Sequence, residues 1–448
     1  MGVYLLLVVG VATALTDAAA ACTAWPACGD GWSLPTTTDG WIAFGHRLVA
    51  VVVGVGVVAS AIAVLRADTR RRVKLAVAVA LLVYPAQAGL GAIVATTGGT
   101  DQTSAIHLLA GVTIFGSLLA ALTWWLEAET GDPDDVPSGS LEPAAPLDPD
   151  SRPPVPTEPI ERTKATLFAY FRLMKPRLMW LLCLVAAAAM ALAGGPGLTP
   201  YTVGATLAGG ALSIGASGTF NHILERDVDR RMARTSDRPL ATDLVPLRNA
   251  VVFGLLLTAL SVGLFATVNL LTAALGVVAI LFYSVVYTLI LKPNTVQNTV
   301  LGGAAGALPA LIGWAAVTGS IGVGGLLLAA FIFWWTPAHF YSLALAYKDD
   351  YERGGFPMLP VVYGETATRR HILWYFGATL VTAAGLAATD TLGWLYVATA
   401  VGLGAVFLWF VVRLHYEQTE GAAFRSFHAS NAYLGTVLLA IVVEGLVL

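Results

Sequence analysis

Uninterrupted apolar runs of about twenty residues recur along this chain, and that feature excludes most folds. Each run is long enough to cross a hydrocarbon core as a helix. Backbone polar groups in lipid must be satisfied within the segment itself, which leaves helices as the spanning structure. The 448 residues are 57% hydrophobic and 12% charged, with a mean hydropathy of +0.74. These features predict an all-α polytopic membrane protein. Spans are expected near 1–20, 42–65, 75–97, 105–126, 178–194, 199–220, 249–268, 271–290, 299–317, 322–346, 371–389, 392–412 and 429–447, about thirteen in all. The first run is short, contains Asp17 and ends in small residues like a signal peptide, but it lacks a basic start and is read as a span.

One stretch breaks the apolar pattern by composition. Between Glu127 and Glu161 lie ten of the 28 acids and nine of the 22 prolines. Such a sequence cannot bury a core, so a solvated, extended linker is expected. The expected organisation is a four-helix membrane domain over 1–126, an acidic linker over 127–165 and a nine-helix domain over 166–448. If the basic loop Arg66–Lys74 is cytoplasmic and the spans alternate, every Lys and Arg except Arg47, 24 of the 25, falls on that side. The linker and the 221–248 and 347–370 loops are then cytoplasmic, while Cys22, Cys28, His46 and His107 lie near the outer face.

The 221–248 loop is charged far beyond the average of the chain, with five acids and six arginines. Charges at the end of a membrane helix are costly unless they meet water or do chemistry. Asn221, Glu225 and Asp229 recur every four residues, so on one helix they share a face. They form a row of oxygen donors suited to a hard cation such as Mg²⁺. On a straight helix the outer two are about 12 Å apart, which calls for two ions or for a shell completed by Asp349 and Asp350. Those acids belong to a second polar stretch, YKDDYERGGFPMLP, from Tyr347 to Pro360 on the same face. Two acidic helix ends around one cavity suit a diphosphate bridged by Mg²⁺, with Lys175, Arg230, Arg234, Arg238, Lys292 and Arg353 available to phosphate oxygens.

These residues, with Met174-Lys175-Pro176-Arg177, Gly302-Gly303 through Gly313-Trp314 and Trp335-Thr336-Pro337-Ala338-His339-Phe340, resemble the UbiA-type intramembrane prenyltransferases. Within these, the protohaem IX farnesyltransferases are most similar, over about Phe171 to Leu448. Glu225 replaces the usual aspartate, and Ala338 stands where a second proline is frequent. The resemblance implies that farnesyl diphosphate binds through Mg²⁺ to Asn221, Glu225, Asp229 and the Asp349/Asp350 loop. It further implies that a vinyl group of haem B captures the farnesyl cation and that water completes the product, haem O. His339 is expected either to orient haem or to pack between helices. The lipid bilayer is the expected surroundings, and no nucleic-acid partner is expected.

The first 125 residues carry a second likeness. CTAWPACGDGWSLP with Cys22 and Cys28, WIAFGHR with His46, the Gln87–Gly91 segment and His107 resemble one half of the haem A synthases. This implies haem ligation by His46 and His107, a disulfide between Cys22 and Cys28, and a haem A synthase or oxidase-assembly partner. Ala43 stands where that family carries a glutamate associated with oxidation, so a haem-binding or docking role is expected rather than oxidation. Competing readings are a UbiA-type transferase for a quinone or lipid acceptor, against which the W-x-P-x-H-F and KDDY stretches argue, and a haem-binding transport protein. A transporter is expected to place its broken helices at mid-membrane, whereas these acids sit at helix ends.

Overall fold

The computed structural model describes residues 1–15, 21–22, 24–29, 33–133, 135, 141–148, 157–389 and 391–447. The end of the first expected span (16–20) and linker residues 134, 136–140 and 149–156 lie outside them. In chain order the helices are α1 Gly2–Leu15, α2 Thr38–Arg66, α3 Arg71–Thr97, α4 Asp101–Thr130, α5 Pro159–Leu173, α6 Pro176–Ala193, α7 Pro200–Leu224, α8 Arg226–Asp229 and α9 Leu247–Val268. Next is α10 Leu270–Leu281, which continues as a π-helical stretch, Phe282–Leu291, into α11 Lys292–Asn294. They are followed by α12 Asn298–Thr318, α13 Val323–Ala346, α14 Lys348–Arg353, α15 Leu359–Val362, α16 Gly364–Leu386, α17 Trp394–Glu417 and α18 Glu420–Val447. No strand occurs among the described residues.

Ten helical stretches among the described residues are long and apolar enough to cross a membrane. Helices α1, α7 and α16, also expected as spans, are not among them. The first has 14 residues, α7 is rich in Gly, Ser and Thr, and α16 opens on Glu365, Arg369 and Arg370.

Compactness divides the chain differently from composition. One unit comprises Met1–Asp132 with Arg370–Glu417, the other Pro133–Arg369 with Gln418–Leu448. Composition marks the linker but says nothing about which helices pack together. In the first unit Trp374 meets Trp124 with ring centroids 6.3 Å apart, and Phe376 meets Phe407 at 4.5 Å. Glu127 accepts from both Arg72 and Arg370 at 2.9 Å. Cys22 and Cys28 form a disulfide that packs on buried Ala43. Arg47 donates to the carbonyls of Ala24 and Ala27 at 2.7 and 2.5 Å.

The second unit is built from helices whose starts are written locally. Pro159, Pro176 and Pro200 each open a helix, where a missing N–H costs nothing. The Thr199 side chain accepts from Thr202 N at 3.1 Å, and Asn269 Oδ1 from Thr272 N at 2.8 Å. Small residues then let backbones meet. A Cβ on Gly313 of α12 would lie 2.3 Å from the Ala186 carbonyl oxygen of α6.

Candidate active site

Helix α7 ends where the acidic row begins. Glu225 leaves the helical conformation (φ −96°, ψ 3°) and the chain restarts as the four-residue α8, which ends on Asp229. The three donors therefore span the junction of two helices, across which the N–H groups of Glu225 and Asp229 still donate to the carbonyls of Asn221 and Glu225 at 2.9 and 2.8 Å. Asn221, Glu225 and Asp229 are 2%, 5% and 2% exposed, a depth at which charges need partners.

Three cations supply them. Arg238 Nη1 donates to both Asp229 oxygens, at 2.8 and 2.9 Å, and lies 3.6 Å from Glu225 Oε2. Lys292 Nζ donates to Glu225 Oε1 at 2.5 Å and sits 4.3 Å from the centroid of the Phe356 ring. Lys175 Nζ donates to Asn221 Oδ1 and to the Tyr283 hydroxyl, the latter at 3.1 Å. Asn221 Nδ2 donates to Thr288 Oγ1 at 3.1 Å. The position of Lys175 is set by its backbone: it adopts a left-handed conformation (φ 54°, ψ 58°) just before Pro176. Gly218 makes room for that turn, since a Cβ there would lie 2.8 Å from the Leu173 carbonyl oxygen.

The two buried carboxyls respond in opposite directions. Burial raises the pKa of Asp229 further than Arg238 lowers it, and Glu225 adds to the rise. Burial also pushes up on Glu225, but Lys292, Lys175 and Arg238 outweigh it and leave its pKa below the ordinary value.

The second acidic stretch plays two parts. Asp350 is buried, and its two oxygens accept from the backbone N–H groups of Ala233 and Arg234 at 2.9 and 2.8 Å. It thereby fastens α14 to the 226–245 loop. Asp349 is exposed. Half of the expected phosphate binders also hold the loops. Arg230 donates to Asp243 at 2.8 Å and to the Ala241 carbonyl at 3.1 Å. The Arg234 guanidinium lies over Tyr347 and Tyr351, 4.8 and 5.3 Å from the ring centroids, and Arg353 Nε donates to the Arg231 carbonyl. Of the six, Arg238 and Lys292 meet Glu225 and Asp229, and Lys175 meets Asn221. Among the described residues no group of three or more His, Cys, Asp or Glu side chains is placed to hold a metal ion.

An apolar cavity opens beside Lys175 and Tyr283. Its volume is about 60 Å³, and it runs between α6, α7, α10 and α12, past Leu182, Cys183, Thr206, Gly210 and Pro309. His339 lies apart from the acids. Its ring is stacked between Trp335 and Phe427, with centroids 4.3 and 4.4 Å away, and Nδ1 is 2.7 Å from Ser430 Oγ. In the first unit, His46 and His107 each bury Nδ1 without a hydrogen-bond partner among the described residues. Gln87 Nε2 lies 3.3 Å from His107 Nε2. Glycines face both rings: a Cβ on Gly10 would lie 3.4 Å from His46 Cε1, and one on Gly91 would lie 3.1 Å from His107 Cε1.

The profile of the UbiA prenyltransferase family matches residues 181–435, more than half of the chain. The chain belongs to the UbiA prenyltransferase family. As a member it is a membrane prenyltransferase of many helices, and its relatives narrow the branch. It is 62% identical to a protoheme IX farnesyltransferase of Haloquadratum walsbyi, over all of this chain and 95% of the relative. Identity is also 62% to a protoheme IX farnesyltransferase of Haloarcula marismortui, over all of this chain and 97% of that one. A protoheme IX farnesyltransferase of Saccharopolyspora erythraea is 44% identical over 68% of this chain and 97% of its own length. A second profile, described as a cytochrome oxidase assembly protein, matches residues 36–145. Among solved structures, one from work on digeranylgeranylglyceryl phosphate synthase in membranes superposes with a TM-score of 0.53 at 15% identity. It covers 63% of this chain and 100% of the other, a likeness of fold.

Two residues that meet Lys175 and Asn221 were not singled out by the sequence. Tyr283 and Thr288 lie within the apolar π-helical stretch. The signal that could have found them is the pair Tyr283 and Tyr287, one turn apart and followed by Lys292 at the end of a span.

Proposed function

We propose that this chain transfers the farnesyl group of farnesyl diphosphate to haem B, giving haem O and diphosphate, at a site on the cytoplasmic side of the membrane. The observation that carries the reading is a cluster of three buried oxygen donors and three cations, one of which, Lys175, also lines an apolar cavity. An apolar wall suits a prenyl chain, and the cations suit a diphosphate.

Mg²⁺ fits the donor set. Asn221, Glu225 and Asp229 offer hard oxygens, and exposed Asp349 is the further acid proposed as a ligand. Bound there, the ion would neutralise charge on the departing diphosphate. Lys292 and Arg238, from the carboxylates, and Lys175, from the Asn221 amide, are the groups that would turn to phosphate oxygens as substrate binds. The C–O bond of farnesyl diphosphate breaks with its electron pair leaving on diphosphate. A haem vinyl carbon supplies the new bond, and water adds hydroxyl and gives up a proton. The helices around the cavity exclude bulk water from the allylic cation until then.

The domain division is proposed as 1–126, 127–165 and 166–448, with the catalytic domain last. In the first domain His46 and His107 are the residues that would hold haem, each having a buried ring nitrogen with no hydrogen-bond partner among the described residues and a glycine at the ring edge. A haem A synthase or another oxidase-assembly protein is the partner proposed for that domain.

The test offers membranes containing the chain haem B, farnesyl diphosphate and Mg²⁺, alongside a quinone precursor and a lipid acceptor. Haem O identified by mass supports the reading. A prenylated quinone or lipid with haem B unchanged overturns it.

A further inference from the structure

Composition predicts a solvated spacer over 127–165, yet parts of it are fastened to the loops that carry the acids. The Leu147 N–H donates to the Arg230 carbonyl at 2.9 Å, and the Ala144 N–H to the Arg353 carbonyl at 2.9 Å. Arg230 directly follows Asp229, and Arg353 closes the helix that bears Asp349 and Asp350. The spacing of three between the donors is one turn of a polyproline helix, so both N–H groups fall on one side of an extended strand. Pro143 and Pro146 precede the two donors. They fix φ and offer no competing N–H, which lowers the cost of ordering the strand.

The receiving surface is shaped for this strand. Gly355 has φ +69°, and a Cβ there would lie 2.8 Å from Pro143 Cγ and 3.1 Å from the Leu141 carbonyl oxygen. Upstream, the Asp135 carboxylate accepts from the N–H groups of Glu365 and Thr366 at 3.0 and 2.7 Å. It lies against Gly364, where a Cβ would come within 2.6 Å of it.

We propose that Leu141–Asp148 is a positioning strap that holds the two acidic loops at the spacing a diphosphate requires. The inference rests on the prenyltransferase reading above. Asp350 ties the loops together from the buried side through Ala233 and Arg234. The strap ties them again from the exposed side, through two carbonyls that flank the acids. Loops already held together lose less freedom when substrate bridges them. The strap therefore acts on the affinity for farnesyl diphosphate and leaves the chemical step alone.

Ala144→Pro with Leu147→Pro removes both donors from a strand that already contains prolines, leaving the helices untouched. Ala145→Pro is the control, because its N–H takes no part in either contact. In the full chain in membranes, the double variant is expected to raise KM for farnesyl diphosphate about tenfold, the worth of two ordinary hydrogen bonds. Its kcat and its KM for haem B are expected to stay within about twofold, and Ala145→Pro to match the wild type. An unchanged KM in an active double variant overturns the strap while leaving the enzyme reading intact, as does an equal change in the control. Hydrogen exchange supplies a readout independent of turnover. Amides of the 226–245 and 348–358 loops are expected to exchange faster in the double variant, and unchanged protection overturns the proposal even if no prenyl transfer is seen.

Discussion

Arg238 grips Asp229 by both carboxylate oxygens, at 2.8 and 2.9 Å, while lying 3.6 Å from Glu225. One guanidinium thus spans two acids that the sequence places four residues apart on either side of a helix break. Nearby, Lys292 completes the neutralisation of Glu225. The site holds its charges in balance before any ligand arrives, which lets the acids be buried at all.

That balance predicts a coupled stability effect. Lys292→Met leaves Glu225 buried without its nearest cation and should cost about 3–5 kcal/mol. Adding Glu225→Gln removes the stranded charge and should recover most of that loss without restoring activity. Thermal unfolding of the detergent-solubilised chain measures the first effect, and prenyl transfer by the same samples measures the second. Equal melting temperatures for the wild type and Lys292→Met would show that the pair carries no such load.

Acid should undo one anchor of the linker. Burial pushes the Asp135 carboxyl up, but the Thr366 and Glu365 N–H donors and nearby Lys348 outweigh it and hold its pKa below the usual aspartate value of 3.8. A depressed pKa means that the anchor contributes stability above pH 3.8 and loses it as pH falls through the lower folded value. The melting-temperature gap between the wild type and Asp135→Ala should be steady near neutral pH and close below that point. A gap that widens on acidification contradicts the assignment.

The first unit should be separable from the chemistry. His46→Ala with His107→Ala is expected to abolish the absorption bands of bound haem in the N-terminal domain. Farnesyl transfer should fall less than about threefold, because neither histidine belongs to the site built on α7. Unchanged haem spectra would remove the two histidines as ligands.

The helical architecture and the acids of the candidate site were legible because both are written locally. Apolar runs of spanning length, proline at the first helical position and threonine or asparagine caps lie within a few residues of what they cause. The Asn221, Glu225 and Asp229 row was legible as a spacing, but its bend at Glu225 was not. Partner choice was less accessible still. Arg230 and Arg238 look equivalent in the sequence, yet one meets Asp243 and the other Asp229, a difference fixed by how the loop folds back. The grouping of 370–417 with the first 132 residues and the fastening of Ala144 and Leu147 depend on distant contacts that composition does not encode.

The central claim is that Asp229 and its neighbours bind the diphosphate that leaves during farnesyl transfer to haem B. It is tested most directly by the rate of haem O formation, followed by mass, in membranes containing equal amounts of wild-type chain and Asp229→Ala. The account predicts haem O from the wild type only when Mg²⁺ is supplied, and a loss of at least about a hundredfold in the variant, the scale for removing a buried electrostatic contact to the transition state. Full product from Asp229→Ala, or none from the wild type with both substrates and Mg²⁺ present, would contradict it.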